Sequence, residues 1–312
     1  MTSRERVKAA IRHEQADRCP YLITMCGDAA EQLAPHTGGK SFAEFIDNDV
    51  IMVFPPWWQW HELGEDWIGM DVPTSPQKVR GTGSYGEFFD NLKELAETTD
   101  KYLLVGIYGS HFEKAYFSRG LENFMADMAG APQFAHDLMR RIVDRNLVML
   151  ENILTADEID GVLLGSDWGT QRGLLMSPEV WDDMIRPGEQ REYDLIHTFG
   201  KDVWVHSCGK IDPLIPRLVE MGLDVLNPVQ PECMDLETLK RDFGDKLAFY
   251  GGITTQTVLP FGTPEEVRAE ARRVRDLMGA GGGYIFSPSQ DLQADVPAEN
   301  VLALLDVARE TQ

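Results

Sequence analysis

Long apolar runs are missing from this chain: no stretch approaches the length of a membrane span, so a transmembrane segment is not expected. Its N-terminus, Met1 to Asp17, is polar and charged and lacks the apolar centre of a signal peptide, which predicts a cytoplasmic protein. Cysteine is scarce. Cys19, Cys26, Cys208 and Cys233 are too few and too scattered for a disulfide scaffold and read as reduced thiols. Basic residues are outnumbered, with 29 Lys and Arg against 51 Asp and Glu, and a net charge of −22 repels nucleic acid and anionic membranes alike. Absent too is a Gly-x-Gly-x-x-Gly after an apolar run, which argues against a dinucleotide-binding sheet.

What the chain does have is alternation. From residue 101 onward, short apolar runs (Tyr102 to Ile107, Gly161 to Leu164, Val203 to His206, Asp224 to Asn227, Leu247 to Tyr250, Gly283 to Phe286) alternate with amphipathic stretches. The amphipathic stretches are Gln133 to Leu154, Pro178 to Thr198, Pro213 to Met221, Pro264 to Met278 and Pro297 to Ala308. Four of these five carry proline near the first turn, where its missing N–H costs nothing. Two earlier runs, Tyr21 to Met25 and Asn48 to Phe54, bring the strands to eight. Eight strands, mostly followed by helices, predict a (β/α)8 TIM barrel forming a single domain over residues 1–312. A short N-terminal helix through Val7 and Ile11 precedes it, and a hairpin-like insertion near residues 60–90 interrupts it.

A barrel of this kind builds its active site at the C-terminal ends of the strands. The fifth run ends in His206-Ser-Cys208-Gly, an imidazole and a thiol two residues apart on one face, a donor pair that suits zinc. Zinc needs a further ligand, and Cys26, Cys233, Asp28 and Glu113 are the available donors. Asp167, in the small-residue turn Gly165-Ser-Asp167-Trp-Gly169, is a candidate general acid or base, or a ligand-facing acceptor. His111 and Glu113 share a strand-like spacing suited to acid/base work or metal ligation, although Glu113 is equally placed to pair with Arg119 or Lys114. Gln171, Asn227, Gln230 and Ser289 are candidate substrate contacts at the same mouth, and the cluster Trp57, Trp58 and Trp60 could stack a flat ligand. Gln290 and Asp291 follow the eighth run.

With these residues assembled, the chain resembles the uroporphyrinogen decarboxylase superfamily, and within it the cobamide-dependent methyltransferases. The resemblance rests on Arg4-Glu-Arg6, Asp17-Arg-Cys-Pro20, Phe112-Glu-Lys-Ala115, Asp167-Trp-Gly-Thr-Gln171, His206-Ser-Cys-Gly209, Leu226-Asn-Pro-Val-Gln-Pro231, Tyr250-Gly-Gly-Ile253 and Ser287-Pro-Ser289 running to Asp295-Val-Pro297. It implies a TIM barrel that either decarboxylates a tetrapyrrole or moves a methyl group between a corrinoid protein and a thiol or pterin. Decarboxylases of the superfamily present arginines after the first strand; here that segment reads Ile23-Thr-Met-Cys-Gly-Asp28. Thiol-methylating members bind zinc through an H-x-C pair, matched by His206 and Cys208, and a cysteine after the eighth strand, where this chain reads Ser287-Pro-Ser-Gln290.

The resemblance therefore implies a methyltransferase served by a corrinoid carried on a partner protein, with tetrahydrofolate slightly ahead of a zinc-activated thiol as acceptor. Asp167, Glu113 and His206 are its expected catalytic residues, and His206 and Cys208 its metal ligands, with Cys26 as the third. A decarboxylase or lyase anchoring its substrate on Arg172 or Arg119, and a non-catalytic corrinoid-protein partner, are the alternatives. A homodimer is an assembly open to it.

Overall fold

The computed structural model describes residues 1–56 and 85–311. Seven parallel strands form one curled sheet: β1 Val50–Val53, β2 Tyr102–Ile107, β3 Gly161–Gly165, β6 Asp202–His206, β7 Val225–Val229, β8 Ala248–Ile253 and β9 Tyr284–Pro288, neighbours in that order. Between β3 and β6 lies a small antiparallel ribbon, β4 Gly169–Thr170 paired with β5 Gly173–Leu174.

The eighth stave is the segment from Tyr21 to Met25, which makes only isolated bridges, Tyr21 with Phe286 and Met25 with Leu292. On one side it exchanges backbone hydrogen bonds with β9, Leu22 N to Phe286 O at 3.1 Å and Phe286 N to Pro20 O at 2.8 Å. On the other, side chains replace most of the ladder. Tyr21 N donates to the Asp49 carboxylate at 2.9 Å, while Asn48 Oδ1 accepts from Ile23 N at 2.8 Å and Asn48 Nδ2 donates to Ile23 O at 3.0 Å. The closure between first and last staves is thus made partly by an Asn-Asp pair, because buried backbone donors must find acceptors whether or not a regular strand supplies them.

Two apolar layers follow from strand alternation. Leu103, Val105, Val162, Leu164, Val203, Val205, Leu226 and Phe249 point outward into the main core under the helices. Leu104, Leu163, Trp204, Val225, Ala248 and Ile285 point into the barrel, where Val7 and Ala10 of the N-terminal helix Ser3–Ile11 join them. Thr2 caps that helix in a reciprocal box with Glu5.

The amphipathic stretch 178–198 is two helices, Pro178–Met184 and Arg186–Thr198, because Pro187 has no N–H to continue the first. Helices Gly27–Leu33, Phe42–Ile46, Phe112–Arg119, Leu121–Gly130 and Leu236–Phe243 add to those read from periodicity. The expected hairpin gives way at its end to the helix Tyr85–Thr98; its earlier part lies outside the described residues, as do Trp57, Trp58 and Trp60. Among the described residues, no helix is long and apolar enough to cross a membrane.

Candidate active site

The inward face of each strand continues from the apolar layer into a cavity. Two residues beyond Trp204 stands His206, beyond Val225 Asn227, beyond Ala248 Tyr250 and beyond Ile285 Ser287; all four line a hollow of about 440 Å³. Gly106 and Gly165 occupy the equivalent positions on β2 and β3 and keep it open, since a Cβ on Gly106 would come within 2.6 Å of the Phe54 ring.

His206, Cys208 and Asp167 converge at this mouth. His206 Nδ1 meets Asn227 Oδ1 at 2.6 Å, which assigns a proton to Nδ1 and turns Nε2 toward Cys208 Sγ at 3.3 Å and Asp167 Oδ1 at 3.6 Å. Asp167 Oδ1 also accepts the Cys208 backbone N–H at 2.7 Å, and Gln290 Nε2 lies 3.5 Å from Cys208 Sγ. Burial opposes a charge on His206, but hydrogen bonding and charge from Cys208, together with Asp167 and Asn227, outweigh it and lift its pKa to about 10. A site that draws positive charge so strongly, through nitrogen, sulfur and oxygen donors all within 4.8 Å of one another, fits a divalent metal.

Two glycines make this approach sterically feasible. Gly209 sits at φ 89° with the ribbon against it, where a Cβ would lie 2.6 Å from the Gly169 carbonyl carbon. A Cβ on Gly169 would in turn lie 2.7 Å from Cys208 O. Lys210 N then donates to Thr170 O at 2.8 Å, and Trp168 N to Ser207 Oγ at 3.0 Å, locking the two loops together.

Glu113 faces the same cavity, buried, with its pKa raised by burial and by the nearby Asp167 carboxylate. Tyr116 OH donates to its Oε1 at 2.7 Å. The expected pairing of His111 with Glu113 is corrected: the backbone turns helical at Phe112, and His111 points instead into the protein toward Glu189 and Glu192.

The remaining expected residues divide. Ser289 lines the cavity. Gln230 does not: its Oε1 accepts the Gly209 N–H and so braces the His206 loop. Gln171 is exposed at the tip of the ribbon, away from the cavity lining. Cys26 precedes the helix Gly27–Leu33 and stands apart from His206 and Cys208, as does Cys233, whose Sγ rests 3.7 Å from Gln230 O; the side chain that converges with the pair is Asp167. Arg172 is exposed, and Arg119 is paired with Asp127 at 2.6 Å. Tyr116 was not singled out from the sequence, although its position one helical turn after Glu113 was a signal for the contact.

The uroporphyrinogen decarboxylase (URO-D) family model matches residues 65–311, and the chain belongs to that family. It is 23% identical over 225 residues to the uroporphyrinogen decarboxylase of Methylococcus capsulatus, covering 68% of this chain and 60% of that protein. The Bordetella bronchiseptica protein of the same name is 27% identical over 243 residues, covering 70% and 62%. The chain thus spans about three-fifths of the length of these relatives. In structure it is similar to a methyltransferase from Methanosarcina mazei, with a TM-score of 0.72 and 16% identity over 99% of this chain and 98% of that one, a likeness of fold.

Proposed function

We propose that the chain is a methyltransferase of the URO-D family, moving a methyl group between a methylcorrinoid protein and a small acceptor held in the cavity. The observation that carries this reading is the convergence of Asp167, His206 and Cys208 at the strand ends. The sequence favoured tetrahydrofolate because a third ligand was missing; Asp167 supplies a third donor, and this supports a thiol as the acceptor. The three residues suit zinc, which when bound would turn an acceptor thiol into a nucleophilic thiolate.

The chain's own residues do the rest. Asn227 fixes the His206 ring and its tautomer, and Asp167 holds both the Cys208 loop and the Nε2 side of the imidazole. Glu113, whose pKa burial raises, is placed in the cavity to accept the proton that an acceptor thiol gives up, with Tyr116 orienting its carboxyl. The corrinoid would arrive on its own protein at the open mouth.

Decarboxylation is the second reading, drawn from the names of the relatives. Against it, the described lining includes Glu113, Asp167 and Asp291 and no arginine or lysine, an environment that repels a polycarboxylate. The test is to mix the protein with a methylated corrinoid protein and thiol or tetrahydropterin acceptors and follow the methyl–cobalt absorbance. Loss with a thiol supports the proposal. No loss with any acceptor, together with carbon dioxide release from a porphyrinogen, overturns it.

A further inference from the structure

Behind the helix that carries Glu113 lies a second group of potential metal donors, His111, Glu189 and Glu192, each with no solvent exposure. Glu189 and Glu192 are three residues apart on the helix Arg186–Thr198 and so share one face, which meets His111 at the start of the helix Phe112–Arg119. Gly188 makes room for the imidazole: a Cβ there would lie 2.8 Å from His111 Nε2.

The distances are unusual for a hydrogen-bonded cluster. His111 Nδ1 stands 3.4 Å from Glu189 Oε1 and 3.6 Å from Glu192 Oε2, too far or too poorly aligned for good hydrogen bonds. Four ligands around an ion at roughly 2.0–2.2 Å have edges of about 3.3–3.6 Å, the range in which these atoms lie. Neither oxygen of Glu189 has a hydrogen bond of ordinary length, although the side chain is fully buried and the Tyr193 and Ser110 hydroxyls lie near it. A buried carboxylate whose donors stand this far off is costly unless a cation compensates it.

Around the group, the outer contacts are in place. Ser110 Oγ donates to Glu192 Oε2 at 2.9 Å, and Asn146 Nδ2 to Glu192 Oε1 at 2.7 Å. Asn146 Nδ2 also reaches Ser110 O at 3.0 Å, and Lys114 Nζ donates to Asn146 Oδ1 at 3.1 Å. Such partners orient metal-binding carboxylates and hold them through loading.

We propose that His111, Glu189 and Glu192 bind a divalent first-row transition metal as a structural site, distinct from the donors at the cavity. The ion ties the helix Arg186–Thr198 to the start of the helix Phe112–Arg119, which carries Glu113, and so sets the wall of the cavity. It is independent of the acceptor and of the reaction.

The test uses the full-length Cys208→Ala variant, which removes the thiolate site. Refolded with Zn2+ or Mn2+ and freed of excess, it is expected to keep about one equivalent of metal, and Cys208→Ala/Glu189→Gln less than about a tenth. Cobalt(II)-loaded Cys208→Ala is expected to show ligand-field bands without thiolate-to-cobalt charge transfer, a readout that needs no second variant. Cys208→Ala that takes up no metal under these conditions overturns the proposal. So does metal that persists in the double variant.

Discussion

Asp167 Oδ1 accepts the backbone N–H of Cys208 at 2.7 Å, and the same oxygen lies 3.6 Å from His206 Nε2. One carboxylate therefore shapes the loop that carries the thiol and completes the donor group that the thiol and the imidazole begin.

A graded loss of metal follows. Asp167→Ala removes a donor and is expected to weaken metal affinity by at least about 100-fold; Asn227→Ala removes only the partner of Nδ1 and is expected to cost roughly 10–100-fold. Chelator competition followed by the thiolate-to-cobalt charge-transfer band reads this site alone, because the His111 group has no sulfur. Equal affinity in all three proteins would contradict the assignment.

Gly209→Ala tests the crossing of the two loops. A methyl group there meets the Gly169 carbonyl carbon at 2.6 Å, and the residue's φ of 89° is itself unfavourable for alanine. Stability is expected to fall by roughly 1–3 kcal/mol in urea unfolding, with methyl transfer all but abolished. An active Gly209→Ala protein would mean that the loop position does not matter.

Barrel closure depends on Asp49, fully buried, which accepts from Arg18 at 2.6 and 2.8 Å as well as from Tyr21 N. Asp49→Ala leaves Arg18 without its partner and the closing stave without an acceptor, and is expected to cost roughly 3–5 kcal/mol in urea unfolding. A loss below about 1 kcal/mol, the range of an exposed pair, would show that the stave is held by other contacts.

Acid weakens the C-terminal clasp. Arg272 first, and then Arg275, hold the Glu310 carboxylate ionised and lower its pKa to about 2, with contacts of 2.6 Å from each guanidinium. A depressed carboxylate stabilises the fold above its unfolded pKa of about 4.3 and loses that contribution as pH falls toward about 2. Glu310→Gln is expected to melt roughly 2 °C below wild type at pH 7 and level with it at the acid end of that window. A difference that does not shrink with acid would contradict this origin.

The strands from Tyr102 onward were legible because each is a short apolar run followed by a helix, the pattern that a parallel barrel imposes. His206, Cys208 and Asp167 were legible for the same reason, as polar residues at strand ends. The stave Tyr21 to Met25 was read as a strand but closes largely through the Asn48 and Asp49 side chains, and composition does not record that substitution. His111 was misdirected because spacing alone does not tell where a strand becomes a helix. Asp167 as the third donor depends on Gly169 and Gly209 bringing two distant loops together, a tertiary contact beyond the reach of local pattern.

Methyl transfer at the Asp167, His206 and Cys208 group is read in single-turnover reactions of a methylated corrinoid protein with a thiol, wild type and Asp167→Ala side by side. Wild type is expected to discharge the methyl–cobalt band, and Asp167→Ala to do so at least about 100-fold more slowly, in step with its expected loss of metal affinity. A methyl–cobalt band that persists with wild type, or decays equally fast in both proteins, would show that this group does not carry methyl transfer.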